Sequence, residues 1–318
     1  MTDDLAARVL RGERLALARG LTAAENGTAE GKRLLQSVYA HTGKAHVVGI
    51  TGPAGSGKST VTDTLTKFYR GEGRTVGIVA VDPSSPFSRG AVLGDRIRMQ
   101  DHWSDSGVFI RSMASRGALG GLSATTFEAA LLMDAFGQDI VIVETVGAGQ
   151  DEVEIAGLAD STVVINTPAT GDDIQAMKAG ILEVADVLLV NKADLPGADT
   201  LTAQLKALLS MGEARPWKVP VIQAEGRTGR GIEELAAALA HHRDHLAQSG
   251  EMRALRLRQA RHQVENILKE ELLRKAIASS GGQAGMEALV ERVAERGIDP
   301  RSAAGELSGS LQRVPVTG

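Results

Sequence analysis

The chain has 318 residues and a net charge of −4, with 43% hydrophobic and 23% charged side chains. This profile is typical of a globular protein of one or two domains and gives no global electrostatic reason to expect nucleic acid or a membrane surface as a partner. The lack of cysteine excludes disulfides, thiol catalysis and cysteine-ligated metal sites. The acidic start and the lack of about 18 consecutive apolar residues predict a cytoplasmic protein without signal peptide or membrane span.

The first 45 residues predict helices, because apolar side chains recur at helical spacing from Leu5 to Ala18 and from Leu34 to Tyr39. From residue 46 onward, short apolar runs alternate with helical stretches. This alternation predicts a doubly wound, mostly parallel α/β sheet whose strands are covered on both faces. The predicted strands are 46–51, 75–82, 108–113, 140–145, 161–167, 186–191 and 219–223. The predicted helices between them are 58–70, 123–136, 172–184, 199–210 and 231–247.

Beyond about residue 250 the strand pattern stops. A long helix is predicted over 251–278, then a shorter one over 286–296 with Gly297 as its C-cap glycine. Spacing alone leaves two interpretations of this part open: helices packed back on the same domain, or an arm that buries its apolar stripe in a second subunit. The stripe comprises Leu257, Ala260, Val264, Ile267, Leu268, Leu272 and Ile277. The predicted organisation is a helical extension (1–45), a nucleotide domain (46–248) and a C-terminal helical part (249–318).

A phosphate-binding loop follows the first predicted strand and matches G-x-x-x-x-G-K-[ST]. The helix that leaves it carries Val61, Leu65 and Phe68 on one face. The glycines of the phosphate loop let successive backbone N–H groups face one anion, and the N-terminus of the helix adds partial positive charge. Lys58 is expected to reach the β- and γ-phosphates, and Ser59 to offer its hydroxyl to Mg²⁺. The predicted phosphate contacts are Gly52, Pro53, Ala54, Gly55, Ser56, Gly57, Lys58, Ser59 and Thr60.

A guanine-reading loop, Asn-Lys-Ala-Asp, follows a later predicted strand. The carboxylate of Asp194 can accept two hydrogen bonds from guanine, whereas adenine offers no such pair of donors. Asn191 is expected to tie this loop to the phosphate loop, and the stem of Lys192 to lie on the base. A further loop is expected to close the base site, with the N–H of Ala224 bonded to guanine O6 and Glu225 next to it. GTP or GDP is therefore the predicted nucleotide.

Three carboxylates are candidate Mg²⁺ ligands alongside Ser59. Glu144 ends a predicted strand where nucleotide hydrolases of this class place an acidic residue. Asp82 ends another strand, and Asp95 follows it in the chain; either could bind the ion directly or through water. The alternatives are a solvent-exposed strand end for Glu144 and a surface ion pair with a nearby arginine for Asp95.

Five stretches in this order resemble the P-loop GTPases of the MeaB and methylmalonic aciduria type A family, which assist adenosylcobalamin-dependent acyl-CoA mutases. They are 81–88, 93–99, 115–121, 144–150 and 171–175. The resemblance covers nearly the whole chain. It implies a GTP hydrolase that gates adenosylcobalamin loading from an adenosyltransferase and protects and reactivates the mutase. It also implies that 249–318 is a dimerisation arm, hence a homodimer.

The resemblance further implies three nucleotide-responsive switch loops, at about 82–99, 144–155 and 167–178. The third carries Lys178, which is implied to swing onto the phosphates when the mutase binds. Lys178 would then complete a catalytic set with Lys58, Asp82 and Glu144. A cation supplied only in the complex would explain slow hydrolysis by the free protein, because charge develops on the transferring phosphoryl oxygens. The alternative for Lys178 is a solvent-facing helix lysine.

Two other functions stay open at this point. A nickel or zinc metallochaperone GTPase would present clusters of cysteine or histidine. The histidine cluster of this chain is His241, His242 and His245, for which the favoured interpretation is solvent-facing positions on a helix. A kinase acting on an amino acid or transporter is disfavoured by the guanine-reading loop.

Overall fold

Seven strands form one sheet, and every pairing among these described strands is parallel. The order across the sheet is β3-β2-β4-β1-β5-β6-β7, which places β1 and β4 side by side near its centre. The predicted doubly wound α/β fold is confirmed. The strands are β1 (His46–Thr51), β2 (Val76–Asp82), β3 (Val108–Ala114), β4 (Ile140–Thr145), β5 (Ser161–Asn166), β6 (Val187–Asn191) and β7 (Val221–Ala224).

The structure is a computed structural model that describes residues 2–82, 102, 104–114, 124–145, 154–168, 179–212 and 215–310. The chain divides into two compact units, Met1–Gln259 and Ala260–Gly318. The described helices are α1 (Thr2–Leu10), α2 (Arg14–Glu25), α3 (Ala29–Val38), α4 (Lys58–Gly71), α5 (Ala124–Phe136), α6 (Ala179–Val184), α7 (Ala198–Met211), α8 (Ile232–Ser249), α9 (Glu251–Ser279), α10 (Gly282–Ala294) and α11 (Pro300–Ser310). Short 3₁₀ turns occupy Tyr39–His41 and Ile155–Gly157.

Successive side chains of a strand point to opposite faces of the sheet, and each face has its own helices. One face forms a core with α1, α2, α3 and α5, and the other packs against α4 and α8. The first face includes Val47, Val79, Val81, Val141 and Val143. The second includes Val48, Ile50, Ile78, Ile140 and Ile142. Burial on both faces explains why the strands read as continuous apolar runs, and the N-terminal helices cover one of these faces.

The second unit shows where the predicted helix ends were wrong. The shorter helix begins at Gly282, with Gly281 as its N-cap at φ 93°, and not at residue 286. Glycine is a poor helix former, so apolar spacing could not detect this first turn. At the other end Arg296, and not Gly297, adopts the left-handed conformation, with φ 59°. The N–H of Gly297 donates to the carbonyl of Arg292 at 2.8 Å and closes the helix end.

The apolar stripe of α9 lies largely exposed. Val264 is 64% exposed and Leu268 is 53% exposed, and Ile267 and Leu272 are similar. Four large aliphatic side chains on one helix form an apolar patch of the kind that marks protein interaction sites. None of the described helices combines the length and apolar character that crossing a membrane requires.

Candidate functional site

All seven described strands end at one edge of the sheet, and the described site residues lie at or just beyond the carboxyl ends of five of them. This is the edge at which open α/β sheets bind ligands. β1 leads into the phosphate loop, β4 ends at Thr145 after Glu144, and β6 ends at Asn191. β2 ends at Asp82, whose side chain lies outside the description, and β7 ends at Ala224. Asp95 and Lys178 lie outside the described residues, so their predicted roles stay predictions.

The phosphate loop depends on two glycines for its shape. Gly52 has φ 141°, and a Cβ atom there would lie 2.3 Å from the carbonyl oxygen of Ile165. Gly57 has φ 90°, and a Cβ atom there would lie 2.4 Å from Nδ2 of Asn191. Both positions therefore exclude any side chain, and the spacing of the sequence motif has a steric cause.

The helix that follows this loop presents its N-terminus to the site. α4 begins at Lys58, and its N-cap Gly57 provides no side-chain cap. The first N–H groups of a helix have no partner within the helix, so this end suits a phosphate group. Val61 and Leu65 are fully buried and Phe68 packs beside them, which confirms the predicted apolar face.

The ammonium group of Lys58 lies directly over the loop. Lys58 is 7% exposed, and its Nζ donates to the carbonyls of Gly52 at 2.8 Å and Pro53 at 3.0 Å. A buried cation held by carbonyl oxygens can exchange these bonds for those of a phosphate, which carries full negative charge. This position agrees with the predicted phosphate-binding role.

Ser59 and Glu144 meet at the end of β4. The hydroxyl of Ser59 donates to Oε1 of Glu144 at 2.5 Å, and Glu144 is only 4% exposed. β4 pairs with β1 so that Glu144 stands opposite Ile50, which brings the carboxylate under the phosphate loop. A hydroxyl and a carboxylate are the oxygen ligands that Mg²⁺ prefers, so the donor set fits that ion. The sequence-based alternative of a solvent-exposed strand end is wrong for Glu144.

Asn191 joins the phosphate loop to the two loops predicted to surround the base. Its Nδ2 donates to the carbonyl of Ser56 at 2.8 Å, and its Oδ1 accepts from the N–H of Gly226 at 2.9 Å. The predicted tie between Asn191 and the phosphate loop is confirmed. Lys192 adopts a left-handed φ of 57°, and its Nζ donates to the carbonyl of Gly55 at 2.9 Å. The side chain of Asp194 is exposed beside it.

The loop after β7 is held by contacts that the sequence motifs did not reveal. Ala224 is fully buried and stands opposite Asn191 in the sheet. The hydrogen bond from its N–H to guanine O6 stays a prediction. The carboxylate of Glu225 is bound by Arg230 at 2.6 Å and by the hydroxyl of Thr228 at 3.0 Å. Glu225 therefore stabilises this loop through contacts with two other residues of the same loop. The hydroxyl of Thr64 on α4 also donates to the carbonyl of Gly226 at 2.5 Å, a long-range contact without a local sequence signal.

A buried histidine network lies at the opposite edge of the sheet. Ser161 links His46 of β1 to His242 of α8, with 2.8 Å from its Oγ to Nε2 of His46 and to Nδ1 of His242. His242 is 3% exposed, so the predicted solvent-facing position is wrong for this residue. Burial lowers the pKa of His46 to about 3 and that of His242 to about 4, so both imidazoles are neutral under ordinary conditions. Among the described residues, no group of three histidine or acidic side chains could hold a metal ion.

Comparison with known proteins gives one family model over most of the chain. The model described as methylmalonyl Co-A mutase-associated GTPase MeaB matches residues 17–281. This range contains the phosphate loop, Glu144 and the guanine-reading loop, together with most of α2 and all of α3 and α9. The match is therefore not limited to motifs that many nucleotide-binding proteins share.

Individual relatives extend over similar lengths. A protein of Pyrococcus horikoshii, provisionally named a GTPase, is 44% identical over 306 residues, 95% of this chain and 96% of that protein. The methylmalonic aciduria type A homolog of Mus musculus, named as mitochondrial, is 35% identical over 291 residues, 85% of this chain and 70% of that protein. A crystal structure of an LAO/AO transport system kinase has a TM-score of 0.72 and 26% identity, covering 98% of this chain and 97% of that one. The shared fold thus extends over nearly the full chain.

Proposed function

The chain belongs to the methylmalonyl Co-A mutase-associated GTPase family MeaB and is a GTP hydrolase, and we propose that its hydrolysis serves an adenosylcobalamin-dependent acyl-CoA mutase. In this role the protein gates the loading of adenosylcobalamin from an adenosyltransferase, protects the loaded mutase and helps to reactivate it. The observation that carries the proposal is the family match over residues 17–281, which takes in the nucleotide site and its surroundings.

The site supplies the chemistry that such a role requires. The N-terminus of α4 and Lys58 bind the phosphates, and Asn191 joins the phosphate loop to the loop that carries Asp194. Ser59 and Glu144 would hold a Mg²⁺ ion, which when bound neutralises charge on the phosphate oxygens. These residues bind and orient GTP, and a cation of this chain that reaches the phosphates only when the mutase is bound would add the charge stabilisation that speeds hydrolysis. We assign that cation to Lys178.

The predicted result is that the mutase, or its cobalamin-binding domain, raises GTP turnover about tenfold or more, because a positioned cation stabilises the transferring phosphoryl group. In Lys178→Ala the stimulated rate should fall towards that of the free protein. Lys206→Ala, an exposed lysine on α7, is the matched control and should be stimulated like the wild type. Phosphate release with and without the mutase measures all three.

Two outcomes contradict different parts of this proposal. Equal stimulation of Lys178→Ala and the wild type removes Lys178 from the mechanism but keeps the mutase as partner. A lack of stimulation by any cobalamin-dependent acyl-CoA mutase overturns the chaperone role and leaves the GTP hydrolase without an assigned partner.

We also propose that the protein is a homodimer joined through the C-terminal helices. The support is the exposed apolar stripe of α9, because burial of such side chains against a second copy is favourable. Replacing Val264 and Leu268 with glutamate should give a monomer that still binds GTP, since neither residue belongs to the nucleotide site. Leu15→Glu changes a side chain that is 81% exposed on α2 and is the control that should remain dimeric. Sedimentation at micromolar concentration decides, and a monomeric wild-type protein would contradict the proposal.

No described feature favours a nickel or zinc metallochaperone or a kinase acting on an amino acid or transporter. The described residues hold no metal-binding cluster of three histidine or acidic side chains, as a nickel or zinc carrier would be expected to present. The kinase name belongs to the solved relative, and a kinase would need an acceptor for the phosphoryl group. Phosphate release in the absence of any acceptor distinguishes a hydrolase from such a kinase.

A further inference from the structure

The beginning of α9 makes a set of polar contacts that nucleotide binding does not use. Gln259 is 4% exposed, and its Nε2 donates to the carbonyls of Leu158 at 3.0 Å and Ala159 at 2.9 Å. Nη1 of Arg256 donates to Oε1 of Gln259 at 3.1 Å, which fixes the direction of the amide group. We call Arg256 and Gln259, with the residues 158–160 that they hold, the α9 clasp.

Asp160 connects the clasp to the centre of the sheet. Its carboxylate is bound by Arg256, with 2.8 Å between Nη1 and Oδ1, and its Oδ2 accepts from the N–H of Val47 at 3.0 Å. The N–H of Asp160 also donates to the carbonyl of Val47 at 2.7 Å. Asp160 is 3% exposed; burial raises the pKa of its carboxyl, and Arg256 opposes this rise. Arg256 therefore compensates the buried negative charge of Asp160, whose carboxylate is hydrogen-bonded to Val47 near the amino end of β1.

The segment just before the clasp also packs tightly against β1, the strand that leads to the phosphate loop. Ile155 is fully buried against Gly49 of β1, where a Cβ atom would lie 2.7 Å from Cγ1 of Ile155. Gly49 is two residues from Thr51, the last residue of that strand. A shift of the 3₁₀ turn at Ile155 would therefore reach β1 directly, because there is no space between the side chain of Ile155 and the backbone of Gly49.

The same segment is the end of the stretch of chain that begins at Glu144. One end of the stretch 144–160 is held at the carboxyl edge of the sheet, where Glu144 accepts from Ser59. The other end is held at the amino edge by the α9 clasp. Residues 146–153 between them lie outside the described residues. Among the described residues, the clasp therefore reaches the site across Ile155 to β1, which pairs with β4 so that Ile50 stands opposite Glu144.

We propose that Arg256 and Gln259 are positioning residues for GTP hydrolysis. They hold residues 158–160 and keep Ile155 against β1, so that β1, the phosphate loop that follows it and Glu144 on the neighbouring strand β4 stay in the geometry that hydrolysis requires. Small displacements of positioned groups lower kcat even when the binding contacts remain. The inference rests on the GTP hydrolase activity and not on the proposed mutase partner, so it is tested on the protein alone.

The test is Gln259→Met, which keeps the length of the side chain but removes the donor to both carbonyls. We expect kcat for GTP hydrolysis to fall about fivefold to tenfold, the size of effect that one or two lost hydrogen bonds produce, while KM for GTP stays within about twofold. Gln263→Met, one turn further along the same helix, is the matched control and should keep the wild-type kcat. Arg256→Met should resemble Gln259→Met, and Arg256→Lys, which retains the charge beside Asp160, should recover most of the rate.

Melting temperature and hydrogen exchange distinguish positioning from simple attachment of a helix. Rates are measured well below the melting temperature of each variant, and exchange is followed at the amides of residues 155–160. Faster exchange there together with the fall in kcat supports the proposal. A lower melting temperature with wild-type kcat in both Gln259→Met and Arg256→Met overturns it, because the clasp would then only fasten α9 to the domain. Equal loss of kcat in Gln263→Met also overturns it.

Discussion

Replacing Glu144 with glutamine should lower the rate of GTP hydrolysis about 100-fold, while GTP binding without Mg²⁺ stays close to that of the wild type. The buried carboxylate lies 2.5 Å from the hydroxyl of Ser59, and glutamine keeps its shape but not its charge. Loss of one positioned contact to the metal or the transition state costs about 3 kcal/mol, which corresponds to roughly this factor. Hydrolysis should also require a higher Mg²⁺ concentration. Phosphate release over a Mg²⁺ titration measures both effects.

The matched control for this variant is Glu72→Gln, which removes an exposed carboxylate at the end of α4, the helix that carries Ser59. It should hydrolyse GTP at the wild-type rate with the wild-type Mg²⁺ requirement. If Glu144→Gln behaved like this control, the metal would be held elsewhere, and Asp82 and Asp95 would become the first alternatives.

The sheet could be predicted from the sequence because parallel strands buried on both faces leave a simple signal. The predicted run 46–51 coincides with β1, and the predicted run 75–82 differs from β2 by one residue. The place of the N-terminal helices could not be predicted in the same way. An apolar stripe shows that Leu17 and Leu34 are buried, but not that they share a core with Val79 of β2 and Val141 of β4.

The candidate site was predictable where a residue type is forced by its own local chemistry. Gly52 and Gly57 are required by the backbone of the phosphate loop, and Asn191 by its bonds to two loops. Contacts between distant polar residues were not predictable. His242 and Gln259 both lie on charged helices, yet His242 is buried against Ser161 at the start of β5 and Gln259 against the two residues 158 and 159 before it, about 80 to 100 residues away in the chain. Burial of this kind depends on the tertiary fold, which local periodicity does not encode.

Replacing Asp194 with asparagine should weaken GTP binding about 100-fold and improve the binding of XTP by a similar factor. Asp194 follows β6 and Asn191 and its side chain is exposed. We expect its carboxylate to accept from guanine N1–H and the exocyclic amine. An asparagine amide would direct a donor at that amine, and an unmatched donor in a binding site costs about 3 kcal/mol. Xanthine has an oxygen at this position, which the amide can donate to.

The control for the base switch is Asp199→Asn, because Asp199 lies on α7 and accepts from Gln223 at 2.8 Å outside the guanine-reading loop. It should bind GTP and XTP like the wild type. Affinities for GTP, XTP and ATP, measured by competition with a fluorescent GDP analogue, give the full comparison. An Asp194→Asn variant that still prefers GTP over XTP would contradict the role of Asp194. Equal turnover of ATP and GTP by the wild type would go further, because the loop 191–194 would then have no part in reading the base.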